Sequence, residues 1–261
     1  MNIDFNKIKR LTIENDYTKK DNNTKKKLKK FFIILFSINN IQNNLIYLNL
    51  KFKYCKVDSF LFEKINNFKL LKYLYIENII FDEDFEIKLN LLKLLSIKSC
   101  KNIKLSEISN KDLKELVLVQ NSISDIFILK KVSFRQLNKL DLSGNNISDI
   151  NILEKVNFEK LKELDLSGNN ISDINILEKV NFKELNKLLL SCNEISDINI
   201  LEKVNFKNLN KLNLRGNKIT DINILEKVNF EKLKELDLDG NKISDINKIN
   251  KIKFKLNFLI A

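Results

Sequence analysis

Five carboxylates stand 24 residues apart: Asp149, Asp173, Asp197, Asp221 and Asp245. A row of aspartates can hold calcium, so it is the first candidate for chemistry. The segment around each one lacks the clustered Asp and Gly that repeat calcium sites use. Recurrence this regular is what a structural turn produces. Composition closes the other routes. The chain has no His, which removes Ser–His and Cys–His nucleophiles and most zinc sites. It has no P-loop and no G-x-G-x-x-G to cradle a phosphate. The expectation is a protein that is not an enzyme and uses no cofactor and no metal.

The aspartates belong to a repeat. Leu137 to Lys160 reads LNKLDLSGNNISDINILEKVNFEK, and Leu161 to Glu184 repeats it with four differences. Further copies start at Leu185, Leu209 and Leu233, and a looser one at Leu113. A period in this range indicates units that stack on their neighbours. Leu140 and Leu142 alternate with period two, which predicts a strand with both facing inward. Asn recurs after it as Asn121, Asn145, Asn169, Asn193, Asn217 and Asn241. A buried amide both donates and accepts, so a stacked Asn ladder can bond the backbone of the turn beside it. Ile147 returns to the core and Ser148-Asp149 turns the chain. Asn151 to Glu154 has the pattern of a capping box, with Asn at N-cap. A short helix is expected through Leu153, Val156 and Phe158. One such unit cannot bury enough to fold alone, so stability must come from stacking.

The pattern LxxLxLSGNxISDI resembles the leucine-rich repeat, with Leu137, Leu140, Leu142, Asn145, Ile147 and Ile150 at the consensus positions. The short-helix return is similar to the internalin and phosphatase-regulator style of that family. The resemblance is strong from Leu113 onward and weaker upstream. There Leu92, Leu95, Ile97 and Cys100 fit, with Cys in the Asn slot. Leu71, Leu74 and Ile76 fit, as do Leu45, Leu48 and Leu50, and Ile8, Leu11 and Ile13 offer a first strand. The implied fold is α/β: a right-handed leucine-rich-repeat solenoid, a horseshoe or arc, with a parallel concave β-sheet of about ten strands and short helices on the convex side.

The implied organisation has four parts. Residues 1–44 would form the first strand and an N-terminal capping helix through Leu28, Phe31, Phe32, Leu35 and Ile38. Residues 45–112 are irregular repeats, 113–256 regular ones, and 257–261 a truncated terminal strand. The apolar strand at Leu256 to Ala261 has no polar cap, which suggests further repeats or a partner at that edge.

The formal charge of +12 comes almost wholly from lysine. Lys, Asn and Ile enrichment is also what an A/T-rich genome produces, so nucleic acid is not expected as a partner. The dense basic run is Lys19 to Lys30, which reads as a solvated loop or an anion-binding patch. Cys55, Cys100 and Cys192 are too sparse for a disulfide framework and are expected as free thiols. The N-terminus has no apolar signal core, and the longest apolar run, Phe31 to Ile38, is far short of the ~20 residues a bilayer requires. A soluble cytoplasmic monomer is expected, with no transmembrane segment.

By the resemblance, partners dock on the third, fifth and seventh strand positions of the concave face. In the late repeats these are polar and monotonous, apart from Leu189 and Arg215. In the early repeats they carry Tyr47, Tyr73, Tyr75, Leu94, Val117 and Val119. Tyrosines are favoured interface anchors. The expected function is a non-catalytic protein–protein interaction scaffold. The alternatives are polyanion or anionic-membrane binding through Lys19 to Lys30, and a fragment of a larger repeat protein whose effector domain is absent.

Overall fold

Leucines at the first and fourth positions of each repeat have no exposed surface, or almost none, from Leu45 and Leu48 to Leu233 and Leu236. The strands form around them. The computed structural model describes residues 8–15, 30, 33–34, 39–81, 84–103, 105–108, 110–131, 134–245, 247–248 and 258–260. The chain divides into two units, Met1–Ser122 and Ile123–Ala261. The expected capping-helix residues Leu28, Phe31, Phe32, Leu35 and Ile38 lie outside the described residues. So do Lys19 to Lys29 of the basic run, and Ala261.

In the first unit, β1 (Arg10–Asn15), β2 (Tyr47–Val57), β3 (Tyr73–Phe81), β5 (Leu94–Lys98) and β7 (Glu115–Val119) pair in that order, all parallel. Their register aligns the repeats: Arg10 faces Tyr47, Tyr47 faces Tyr73, Tyr73 faces Leu94, and Leu94 faces Glu115. Two short helices, α1 (Asn39–Asn44) and α2 (Phe60–Ile65), provide returns. A second parallel pair, β4 (Phe85–Ile87) with β6 (Leu105–Ile108), stands where only short helices were expected. Bulk explains part of it. Phe62 stacks on Phe85 at 4.0 Å, and Phe81 lies 4.6 Å from Phe85, so large rings rather than a helical turn fill that layer.

In the second unit, β8 (Lys139–Asp141), β9 (Glu163–Asp165), β10 (Lys187–Leu189), β11 (Lys211–Asn213), β12 (Glu235–Asp237) and β13 (Phe258–Ile260) are parallel and in sequence order. After a short helix α3 (Ile128–Lys131), the returns are single 3₁₀ turns: Asn151–Lys155, Asn175–Glu178, Asn199–Glu202 and Asn223–Glu226. Each buries an Ile-Leu pair, such as Ile152 and Leu153. Behind them runs a buried phenylalanine column, with Phe134, Phe158, Phe182 and Phe206 at centroid steps of 6.1, 6.1 and 6.4 Å.

The expected capping box is not formed. Ile150 occupies the N-cap with no side-chain cap bond, and the chain is extended again by Val156. The cap is supplied one residue earlier. Asp149 accepts the Asn151 N–H at 2.8 Å, and Asp173, Asp197 and Asp221 do the same for Asn175, Asn199 and Asn223. This Asx turn is a local bond from the aspartate side chain to the backbone two residues on. The 24-residue aspartate row is therefore turn chemistry.

The Asn ladder forms, and it reaches further than its own turn. Asn169 donates to the carbonyls of Leu166 in its own repeat and Leu142 in the one before. It also accepts the Ile147 N–H of that earlier repeat at 3.0 Å. Asn193 and Asn217 repeat the arrangement. Cys100 fills the slot of its own repeat, one before Asn121: its Sγ accepts the Ile79 N–H and its thiol donates to the Lys98 carbonyl. Burial pushes that thiol up to about 11.

Candidate interaction face

The odd strand positions of the first unit gather aromatic side chains. Tyr47 and Tyr75 lie with ring centroids 5.1 Å apart, tilted by 39°. The Arg10 guanidinium sits over the Tyr47 ring at 4.5 Å from its centroid. Such a cation–π contact fixes the ring without hiding its edge. Tyr73 is 38% exposed, while Tyr47, Tyr75, Leu94 and Val119 are half-buried and Val117 is buried. Burial pushes the Tyr75 hydroxyl above its ordinary value; Tyr47, Glu115 and Tyr73 add to the rise and Arg10 opposes it. The result is a fixed aromatic platform bordered by short aliphatics. It offers apolar area and hydroxyls at low ordering cost.

The structure thus brings Tyr47 and Tyr75 into contact and sets Tyr73 and Leu94 beside each other in register. Val117 follows Ser96 across from Tyr75. Leu189 and Arg215 belong to the second unit. Leu189 lies between Asp165 and Asn213, and Arg215 is 3.0 Å from the Asp239 carboxylate. There the third position is an ion-pair row: Glu163 lies 2.5 Å from Lys139 and 3.5 Å from Lys187, and Lys211 lies 2.7 Å from Glu235. These charges satisfy one another, each pair contributing a few tenths of a kcal/mol at best.

Sequence reasoning missed three residues near the platform. Arg10 was legible, since Ile8, Leu11 and Ile13 put it at the third position of the first strand. Leu70 and Leu91, each just before the first leucine of a repeat, are 42% and 41% exposed. The signal was there too, because the late repeats carry Gln136, Lys160, Glu184, Asn208 and Lys232 at that position.

Among the described residues, no group of His, Cys, Asp or Glu is arranged to hold a metal ion. No helix among them is long and apolar enough to cross a membrane. Cys100 and Cys192 are free thiols, the first buried and the second exposed.

Family models for the leucine-rich repeat match residues 135–150 and 159–174, and a two-copy model matches 207–251. A search of curated proteins finds no match. Among solved structures, a leucine-rich-repeat protein of Leptospira interrogans shares the fold, with a TM-score of 0.62 and 23% identity over 86% of this chain. This chain spans 62% of that protein's length. A plant peptide hormone receptor in complex with RGF2 has a TM-score of 0.51 and 17% identity, over 86% of this chain and 44% of that one. An internalin of Listeria monocytogenes aligns over 98% of this chain and 88% of its own, at 21% identity and a TM-score of 0.46. Such repeats commonly mediate protein–protein interaction and are typically non-catalytic. With the family models on its regular repeats, parallel strands in repeat order and an asparagine ladder behind them, this chain carries leucine-rich repeats over residues 135–150, 159–174 and 207–251 and has the fold of such proteins.

Proposed function

We propose that the first unit grips a protein partner on the sheet face built by Tyr47, Tyr73, Tyr75, Leu94, Val117 and Val119. One observation carries this reading: the Tyr47–Tyr75 pair, held under Arg10, is an aromatic surface fixed before any partner arrives. Preorganised rings lose little freedom on binding, which is why tyrosines dominate contact energies at interfaces. The third positions of the second unit, which match Tyr47, Tyr73 and Leu94, are taken up by Lys–Glu pairs and offer a partner little. The plant receptor in complex with RGF2 is a precedent for a partner held by this fold.

Affinity capture with three forms of the full chain tests it: wild type, Tyr73→Ala/Tyr75→Ala, and Leu189→Ala/Arg215→Ala. The expected outcome is a partner retained by the first and third and lost with the second, all three having the same circular dichroism. A partner retained by the tyrosine variant, or lost only with the Leu189/Arg215 variant, refutes the assignment.

A further inference from the structure

The edge where strands begin differs sharply between the two units. Backbone bonds fix the comparison. Leu71 N–H closes on Phe68 and Leu92 on Leu89, as Leu161 closes on Phe158 and Leu185 on Phe182. The residue just before the first leucine therefore occupies the same place in each repeat. In the second unit that residue and the second and third strand positions line an open groove of about 450 Å³, with Glu184, Asn208 and Lys232 along it. In the first unit the described residues at that place are Asn44, Leu70, Leu91 and Asp112, and the middle two are exposed leucines next to Tyr73 and Leu94. Apolar surface has replaced polar surface at a site the fold leaves open.

A row of cations flanks this strip. The amides of Ile46 and Tyr47 bond Lys9, those of Lys72 and Tyr73 bond Ile46, those of Lys93 and Leu94 bond Lys72, and those of Lys114 and Glu115 bond Lys93. This ladder stacks Lys9, Lys72, Lys93 and Lys114 along one line, in steps of about 4.8 Å where strands are adjacent. The matching line of the second unit is Asn138, Lys162, Asn186, Asn210 and Lys234. Lys93 is offset by Asp112 at 3.4 Å. Among the described residues, Lys9, Lys72 and Lys114 have no ion-pair partner.

We propose that this strip docks an acidic polypeptide segment with leucine or aromatic anchors. Anchors would sit on Leu70 and Leu91, beside the tyrosine platform, and carboxylates would meet Lys9, Lys72 and Lys114. Aliphatic exposure at Leu70 and Leu91 favours a peptide over a single-stranded nucleic acid, whose bases stack on rings. Continuity with the tyrosine platform favours a chain laid across strands over a flat lipid surface. The proposal deepens the reading that the first unit grips a protein partner, and it rests on it.

The test selects peptides from a random displayed library on the full-length protein, then measures a synthetic consensus peptide by fluorescence anisotropy. Phosphatidylserine vesicles and oligothymidylate are run beside it. The variants are Leu70→Asp/Leu91→Asp, Lys72→Glu/Lys114→Glu and Tyr73→Ala/Tyr75→Ala, each checked for native circular dichroism. The expected consensus is rich in Asp or Glu with apolar anchors, and each variant weakens it about tenfold or more. A basic version of the peptide should regain binding to the Lys→Glu variant. A consensus without acidic residues, or one lost only with the tyrosine variant, overturns the strip and leaves the sheet-face reading standing. A consensus lost with the Leu and Lys variants but indifferent to the tyrosines keeps the strip and sinks the sheet-face reading. No enriched peptide, or tighter binding of vesicles or oligothymidylate through the same residues, also overturns the proposal.

Discussion

The Lys139 ammonium lies 2.5 Å from one Glu163 oxygen, a full repeat away in sequence, while Lys187 approaches the other oxygen at 3.5 Å from the opposite side. Two residues along the same strand, Asp165 has no such cations among the described residues. Burial would raise Glu163, but the Lys139 hydrogen bond and the charges of Lys139 and Lys187 hold it below the ordinary carboxylate value. Burial raises Asp165 in spite of the Ser167 N–H and hydroxyl, and Asp141 and Glu163 push it further up.

The two carboxylates should therefore pull stability in opposite directions with pH. A depressed pKa means that Glu163 stabilises fully above its unfolded value of about 4.3, and that this is lost as pH falls through the lower folded value. A raised pKa means that ionised Asp165 costs stability at neutral pH, a cost relieved as pH falls through its folded value. At neutral pH, Glu163→Gln should destabilise by a few tenths of a kcal/mol and Asp165→Asn should stabilise by a similar amount. Both differences should shrink toward about pH 3. Urea midpoints at the two pH values check this, and a neutral-pH loss for Asp165→Asn would contradict it.

Gly168 and Cys192 occupy the same left-handed position in adjacent repeats, with φ of 65° and 53°. A Cβ on Gly168 would also stand 3.4 Å from the Gly144 nitrogen. Gly168→Ala should cost about 1 kcal/mol, the penalty for an L-residue in that region. Cys192→Gly should gain about 0.5 kcal/mol, the relieved strain less the extra freedom of the unfolded chain. Paired thermal melts with opposite signs are the expected outcome; equal signs would mean that the left-handed position is not what sets the energy.

Asn169 completes four backbone contacts across two repeats, so its loss should be felt at a particular place. Asn169→Ala orphans the Ile147 N–H and removes donors from Leu142 and Leu166. At about 1–3 kcal/mol per orphaned buried group, a total near 3 kcal/mol is expected. Hydrogen exchange should show protection lost first at the Ile147 amide. Uniform loss over all repeats, with Ile147 no faster than its neighbours, would argue against the contact.

Much of this was legible in the sequence where one residue type serves one role. The leucines and the Asn column are such cases, and period alone places them. The turn was misread because Asn151 and Glu154 imitate a capping box, while Asp149, one residue before Ile150, makes the local bond. Cys100 could be placed in the Asn slot by spacing, but only its contacts show a thiol that both accepts from Ile79 and donates to Lys98. The tyrosine face was readable because strand positions alternate. Leu70 and Leu91 were overlooked because they precede the strand, where alternation says nothing about exposure.

The backward reach of the asparagines has a consequence for synthesis. The Ile147 N–H is satisfied by an amide 22 residues further along the chain. A ribosome adds about 5–20 residues per second, so each newly made repeat waits roughly one to five seconds with that donor open. On the growing polypeptide the folding front must trail the point of elongation by one whole repeat, and a translational pause longer than that interval would hold an unfinished turn in water.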